Sequence, residues 1–437
     1  FVPGVQTCAL PISLMTAQPA SPPRKTPLLT PVLVTFMIAM ILANLGGNMY
    51  GPLLSLYLES LGATVTQIGL FYTLSQIVPL VLQILGGWVS DSLGRLHAIA
   101  IGSLFGTIGA LILVGSSNWG WVLLASAVGA AAGALVGPSF DAFIAEKSDE
   151  HNRARVFGVS QMLYGIVAVI GPPAGGWIVE HYGFKTMLWA AAALYIVAMI
   201  IRILMAWSGK HDAVSYERTP FNVAGLKKNL GTMFGMLFAG GVITWILITD
   251  GVRDISYGMS LNFLSLYMEQ IAALNISTIG VLNGVFGLFM MAFMIPGGWL
   301  ADKKGERVGI VIGFLLNSIA LGAIALVPPA SPTWVYLTGF AIAGTGIGLI
   351  APAYQSLISK VVPAHLRGTA FGLFSTSLGL ISLPAPYIGS LLWQNISPQF
   401  PFALTAVISL ITIVPVWLKF KVPKSVTTDS TEGTEKP

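Results

Sequence analysis

The sequence predicts an all-α membrane protein whose twelve transmembrane helices form two six-helix repeats. Three observations predict it. The 437-residue chain is 55% hydrophobic and 9% charged, with a mean hydropathy of +0.80, whereas a soluble domain carries about 25% charged residues. Apolar runs of the roughly 20 residues needed to cross a bilayer recur along the chain. A block of polar punctuation, GGWVSDSLG at 86–94, returns as GGWLADKKG at 297–305.

The runs lie at 31–58, 66–89, 98–115, 119–145, 156–180 and 184–207, then at 238–268, 277–300, 308–327, 333–359, 369–393 and 400–419. They are long and apolar all round, which excludes the short alternating strands of an outer-membrane barrel. The expected organisation is a non-native or disordered segment at 1–30, a six-helix bundle at 31–207, a linker at 208–237, a second bundle at 238–419 and a disordered tail at 420–437. Within 1–30, GVQTCALPIS (4–13) resembles the in-frame translation of a sequencing-adapter oligonucleotide, so Met15 is the expected native start. It lacks the basic n-region and apolar core of a signal peptide. Cys8 is the one cysteine and lies in that stretch, which leaves no disulfide to consider. The linker segment SGKHDAVSYERTPFNVAGLKKNL (208–230) is polar and of mixed charge, with part of it expected as an amphipathic surface helix. SVTTDSTEGTEKP (425–437) is polar and poor in aromatics, the composition of disorder.

Orientation follows from the basic residues. All but two of the 22 fall in alternate connecting segments, from Arg24, Lys25 and Arg95 through Lys147, Arg153 and Arg202 to Lys303, Lys304, Arg307, Lys360 and Lys419. ESLGATVTQ (59–67), SSNWG (116–120), PPASP (328–332) and QNISPQ (394–399) carry none. Both termini are therefore expected in the cytoplasm. The net charge of +5 is a topology signal spread over many segments, which excludes a nucleic-acid surface.

Folded at the linker, the chain overlays on itself. TQIG (66–69) meets STIG (277–280), and Asp91 meets Asp302, both 211 positions apart. GPSFDAFIAEK (137–147) meets APAYQSLISKV (351–361), Phe157-Gly158 meets Phe371-Gly372, and Gly175 meets Gly389, each at 214. Six spans have been duplicated in parallel. Internal repeats are a construction principle of secondary transporters, with the substrate site near the membrane midplane between the halves.

Here the sequence resembles the major facilitator superfamily, whose signature G-x-x-x-D-x-x-G-R lies between spans two and three. It reads Gly87, Asp91, Gly94 and Arg95, with a second copy at Gly298, Asp302, Gly305 and Arg307 between spans eight and nine. The resemblance covers 30–420 and implies that these loops gate the cytoplasmic side. Asp91 would then meet the start of span eleven near Arg367. Two departures stand out: Ser92 replaces a usual basic residue, and Glu306 stands at the register of Arg95, which predicts a weaker second gate. Chemically, Gly94 permits a tight turn, Asp91 can complement a helix N-terminus, and Arg95 needs an acceptor, for which Glu146 is the candidate. GPPAGGW (171–177) resembles part of the family's exporter element, with Val167 where a glycine is usual. Gly171, Pro172, Gly175 and Gly176 are equally readable as small residues that let helices approach closely.

Span seven, GGVITWILITDGVRDISYGMSLNFLSLYME (240–269), places Asp250, Arg253 and Asp254 on one broad helix face. Ionisable groups at this depth are costly and functional by default. With one negative charge to spare, the cluster can bind a proton or cation reversibly. The alternatives are a buried ion pair that fixes helix register, or a span that begins near Gly231 and sets the cluster at the outer mouth. Asp141 in span four is the other intramembrane acid, lining the cavity or pairing with a base near the cytoplasmic end. Asn44, Asn48, Tyr50, Gln161, Tyr164, Asn262 and Gln355 are the neutral polar candidates for the substrate cavity.

All five histidines (His97, His151, His181, His211, His365) fall in predicted loops, so neither a metal site nor a histidine relay is expected, and no cofactor is implied. No phosphate-binding G-x-x-x-x-G-K-[ST] occurs, and GTGIG (344–348) lies inside a span. The reading is a non-enzymatic, monomeric transporter of a prokaryotic plasma membrane, working by alternating access. Proton-coupled efflux of a small organic compound is the first expectation, and uptake or uniport of a polar metabolite the second. Ser126 stands near the place where many proton-coupled relatives carry an arginine. A membrane-embedded enzyme would show clustered His, Cys or acidic residues at one interface, and a sensor an appended soluble domain.

Overall fold

The computed structural model describes residues 29–82, 94–149, 152–208, 242–329, 331–361 and 379–420. Gly87, Asp91, Arg367, the linker beyond Ser208 and both terminal segments lie outside them. All regular secondary structure among the described residues is helical, and nine helices there are long and apolar enough to cross a membrane. One of the nine, Arg153–Ser208, has 56 residues and turns at Gly183 (φ +82°), so it supplies the predicted spans five and six. Span seven, Val242–Ser260 with its extension Leu264–Gln270, is too charged to be counted with them. Span eleven is described only in its later part, around Ala385–Asn395. His97 and His181 lie in terminal helical turns rather than in loops.

The repeat is built into local structure. Thr64 caps span two in a reciprocal capping box with Gln67, and Asn275, at the equivalent place, caps span eight by accepting from Thr278 N at 2.9 Å. Each cap satisfies backbone donors that a helix start leaves unpaired. Spans one and seven are each interrupted by a 3₁₀ turn, Gly51–Leu53 and Leu261–Phe263. Beyond the turns, Tyr57 donates to Leu113 O and Tyr267 to Ile324 O, both at 3.3 Å. Gly94 and Gly305 turn the chain at φ +84° and +90°, a conformation that a side chain makes strained.

Packing divides the molecule by depth. The largest apolar cluster draws on both halves, joining Met49, Leu53 and Tyr57 to Phe263, Tyr267 and Leu282. Two smaller clusters are confined to one half each: Leu33, Phe36, Phe140 and Met205 in the first, and Ile246, Phe314, Leu357 and Val416 in the second. These two sit at the end where the basic residues gather. The halves therefore share a core at the end away from the basic loops and build separate cores at the basic end.

Hydrogen bonds cross between the halves at that same shared end. Ser265 donates to Pro52 O at 2.6 Å, Thr66 to Gln394 Oε1 at 2.7 Å, and Ile276 N to Glu180 Oε2 at 3.1 Å. Gln270 donates to Glu59. Large apolar side chains cover the outside, among them Ile295, Leu326, Trp207, Trp299, Trp334 and Ile411. Against lipid this exposure carries no penalty, and the tryptophans lie near helix ends, as at membrane interfaces. At the basic end, Lys303 sits over Trp299 at 4.6 Å and Arg307 over Trp417 at 4.7 Å, contacts in which each ring covers a cation at the boundary of the apolar layer.

Candidate coupling site and gates

The helical spacing of span seven brings its three charges together as expected. Arg253 lies within 2.7 Å of Asp250 Oδ1 through one terminal nitrogen, in an ion pair off the hydrogen-bond direction. Its other terminal nitrogen and Nε reach Asp254 Oδ1 at 2.8 and 3.1 Å. Asp250 is 5% exposed; Asp254 is half-buried. Tyr354 of span ten covers the guanidinium, with its ring centroid 5.2 Å from Arg253 Cζ, a contact that sequence patterning did not single out. The helical path from Asp250 to Gln270 is roughly 30 Å at 1.5 Å per residue, so the cluster lies within the span toward its basic end. Whether span seven begins near 240 or near Gly231 falls on residues outside those described. One guanidinium thus serves two carboxylates inside the bundle.

The two loop signatures lead into paired charges. Arg95 donates through Nε to Glu146 Oε1 at 3.2 Å, joining the start of span three to the end of span four. In the second half Glu306 is buried and accepts from Lys360 and, at 2.9 Å, from Ser356 Oγ. Glu306 stands at the register of Arg95, and Lys360 at that of Glu146. The second copy keeps the bridge with its charges exchanged, so the Glu306 departure changes the sign of the contact rather than removing it. Asp302 is exposed, and Gly298 faces Pro352 at ordinary contact distance.

The glycines of span five sit where backbones meet. A Cβ on Gly171 would lie 2.6 Å from Asn48 Cβ, and one on Gly175 only 2.0 Å from Met49 O, both on span one. One on Gly176 would lie 2.7 Å from Ile276 O, and Pro172 O would be 2.5 Å from a Cβ on Gly280, both contacts reaching span eight of the other half. The four residues do close-packing work both within a half and between halves.

Of the neutral candidates, Asn44, Asn48 and Asn262 each donate to a carbonyl four residues back, Met40, Asn44 and Gly258. Tyr164 meets Asn44 and stands edge-on to Phe140, with centroids 5.9 Å apart, while Tyr50 pairs with Tyr195. Gln161, Gln355 and Asp141 are exposed. Asn44 and Tyr50 line a cavity of about 440 Å³ within the first half, together with Tyr195 and Arg202. Arg202 is a correction to the sequence reading, which counted it among the cytoplasmic cations. It is 6% exposed and donates to Ser103 Oγ at 2.9 Å and Ala39 O at 3.4 Å.

Comparisons with known proteins agree with this architecture. A sequence profile described as Major Facilitator Superfamily matches residues 36–380 and 246–437. An uncharacterized MFS-type transporter of Methanocaldococcus jannaschii is 26% identical over 83% of this chain and 88% of its own length. The multidrug resistance protein MdtH of Yersinia enterocolitica is 23% identical over 84% and 89%. The quinolone resistance protein NorA of Staphylococcus aureus is 23% identical over 84% and 91%. Among solved structures, a peptide transporter in complex with alafosfalin superposes with a TM-score of 0.73 at 14% identity, covering 88% of this chain and 93% of that one. The nucleoside transporter NupG superposes with a TM-score of 0.74 at 14% identity, covering 89% of this chain and 100% of its own. The duplicated loop signatures, the repeated helix architecture and the profile match over most of its length place the chain in the major facilitator superfamily, among integral membrane transporters.

Proposed function

We propose that the chain is a cation-coupled exporter of a small organic compound, working by alternating access as a monomer with its basic end in the cytoplasm. The observation that carries this reading is the span-seven cluster, where one guanidinium serves two carboxylates. Two acids against one base leave a net negative charge inside the bundle, which is costly to carry through a closed state. A bound proton or other cation removes it, and that ties rocking of the halves to an ion gradient. The preference for export rests on sequence relatives named for multidrug and quinolone resistance. The peptide and nucleoside transporters share the fold at 14% identity and bear on architecture alone.

In this reading the shared core and the crossing hydrogen bonds close the external side, and the separate cores at the basic end belong to a state that opens inward. The loop signatures act as gates that engage when the basic end closes. The test is uphill transport of fluoroquinolone probes in proteoliposomes under imposed pH and sodium gradients. Accumulation that follows a gradient, and collapses with an ionophore, is expected. Equal filling with and without every gradient removes the coupling.

A further inference from the structure

The buried guanidinium of Arg202 has no role in that coupling scheme. It lies six residues from the described end of its helix, roughly 9 Å along the axis, yet it turns into the bundle rather than toward water. Its two terminal nitrogens reach a hydroxyl and a carbonyl, and its Nε has no partner. No carboxylate among the described residues lies within ion-pair distance of it. The neighbouring ionisable groups are the phenols Tyr164 and Tyr195, and Asp141, which faces Tyr164, is exposed. A buried cation that lacks a counter-charge is unfavourable, the more so in a membrane bundle.

Arg202 lines the cavity of about 440 Å³ between spans one, three, four and six. The remaining walls are largely small residues, among them Gly106, Gly129, Ala132 and Gly133. Gly129 and Gly133 have nothing within 4 Å of where a Cβ would stand, so their missing side chains leave room rather than admit a neighbouring helix. Tyr50, Tyr195 and Asn44 contribute phenolic and amide groups to the same lining. The site therefore combines one unneutralised positive group, several neutral hydrogen-bonding groups and apolar space. Its volume falls in the range of small-molecule pockets, about 300–1,000 Å³.

We propose that this cavity binds small organic carboxylates, the anionic head pairing with Arg202 and the apolar body lying against the glycine wall. A carboxylate supplies the counter-charge that the bundle lacks, and a charge-assisted contact of this kind is one for which arginine is suited. The proposal names a substrate class for the transporter reading and rests on that reading for its physiological meaning, but binding is measured without any gradient.

The full chain in phosphatidylcholine nanodiscs is titrated with 2-naphthoate, the isosteric 2-naphthamide and 2-naphthylmethylamine, by equilibrium dialysis and by the shift of the thermal unfolding midpoint. Naphthoate is expected to bind at least about tenfold more tightly than the amide or the amine. Arg202→Met is expected to abolish that preference. Gly133→Leu fills the cavity while leaving Arg202 in place, and is expected to lose naphthoate binding with an unchanged unfolding midpoint. It keeps the proposal testable if Arg202→Met fails to fold. Equal binding of the three probes, or naphthoate binding that survives Gly133→Leu, overturns the proposal. So does a site saturated by added phosphatidylglycerol that free naphthoate cannot displace, since the occupant is then a lipid headgroup. Loss of uphill transport in the gradient assay leaves this result untouched, and absent binding with intact efflux removes the carboxylate site alone.

Discussion

Glu306 and Lys360 form an ion pair that repeats, with its charges exchanged, the pair of Arg95 and Glu146 in the other half. The connecting helices are the same in both copies, third to fourth and ninth to tenth. Duplication has conserved the contact and not the residues, which indicates that a bridge between these two helix ends is what the architecture needs.

The pair predicts a charge-swap result. Glu306 has a side chain 7% exposed and Lys360 one 47% exposed, so the bridge lies between surface and buried cases. Lys360→Glu is expected to destabilise the protein by about 1–3 kcal/mol, through a like-charge contact at a buried carboxylate. Glu306→Lys combined with Lys360→Glu is expected to recover most of that loss. Thermal unfolding of the single and double variants in one detergent checks it. A double variant no better than the worse single one would show that the site recognises the residues and not the pair.

Close approach predicts a contrast among glycines. Gly175→Ala and Gly389→Ala drive a methyl group against Met49 O and Met259 O, at 2.0 and 2.1 Å. Backbone cannot yield as a flexible side chain does, so each variant is expected to lose about 1–3 kcal/mol. Gly94→Ala meets no atom within 4 Å but must adopt φ +84°, at about 1–2 kcal/mol. The two causes separate when asparagine replaces each glycine. At position 94 the backbone (φ +84°, ψ +146°) lies in a region that asparagine enters no more readily than alanine, so the two variants are expected to lose about the same, whereas at position 175 a larger side chain is worse than alanine. An unfolding midpoint of Gly94→Asn well below that of Gly94→Ala would refute the conformational argument.

Much of this was legible because membrane spans obey a strong rule. Backbone groups in lipid must be satisfied within the segment, so apolar length alone fixes helices such as Phe400–Lys419, which the sequence brackets to the residue. The caps Thr64 and Asn275 and the turns at Gly94 and Gly305 follow the internal offset of the repeat. Side-chain partners over long sequence separations were less legible. Arg202 reads as a cytoplasmic cation because it is near a helix end, and its burial depends on Ser103 and Ala39, 99 and 163 positions away. The apolar residues that follow it, Ile203 to Trp207, were the available signal: a cation at the water boundary is seldom followed by so long an apolar stretch. Tyr354 over Arg253 had no sequence signal, because stacking across spans seven and ten depends on helix rotation.

The closed end predicts a pH response. Glu59 and Glu269 come from opposite halves and lie within hydrogen-bond reach of each other, beside Glu180. Like charges oppose this closure when both are ionised, and neutralising one relieves the repulsion. Lowering the pH is therefore expected to favour the state closed at this end, and Glu269→Gln to favour it already at neutral pH. The shift is about 1 kcal/mol, or roughly fivefold in population, for charges in contact near water. Spin labels at Ser117 and Asn395, both exposed, report the separation of the halves by pulsed dipolar spectroscopy. A distance distribution that ignores both pH and Glu269→Gln would discard the rim as a titrating element.

The span-seven cluster gives the last and most consequential prediction. Asp250 and Asp254 share one guanidinium, so a cation must neutralise the spare charge before the halves can pass through an occluded state. Asp250→Asn removes that charge permanently. The variant is expected to keep substrate binding and exchange, and to lose accumulation against a gradient. Asp254→Asn is expected to do the same to a lesser degree, because Asp254 is half-exposed and its charge is better solvated. Arg253→Ala leaves two carboxylates without a counter-charge, so uphill transport is expected to lose its wild-type pH profile. Arg253→Lys keeps the charge but not the fork that reaches both acids, and is expected to fall between wild type and Arg253→Ala. Exchange and accumulation are measured side by side in proteoliposomes across pH, with the unfolding midpoint of each variant as the control for folding. If all four variants accumulate substrate with the wild-type pH profile, the cluster only fixes the register of span seven against Tyr354 and its neighbours. Coupling would then fall to Asp141 of span four, and Asp141→Asn in the same assay decides between that and uncoupled transport.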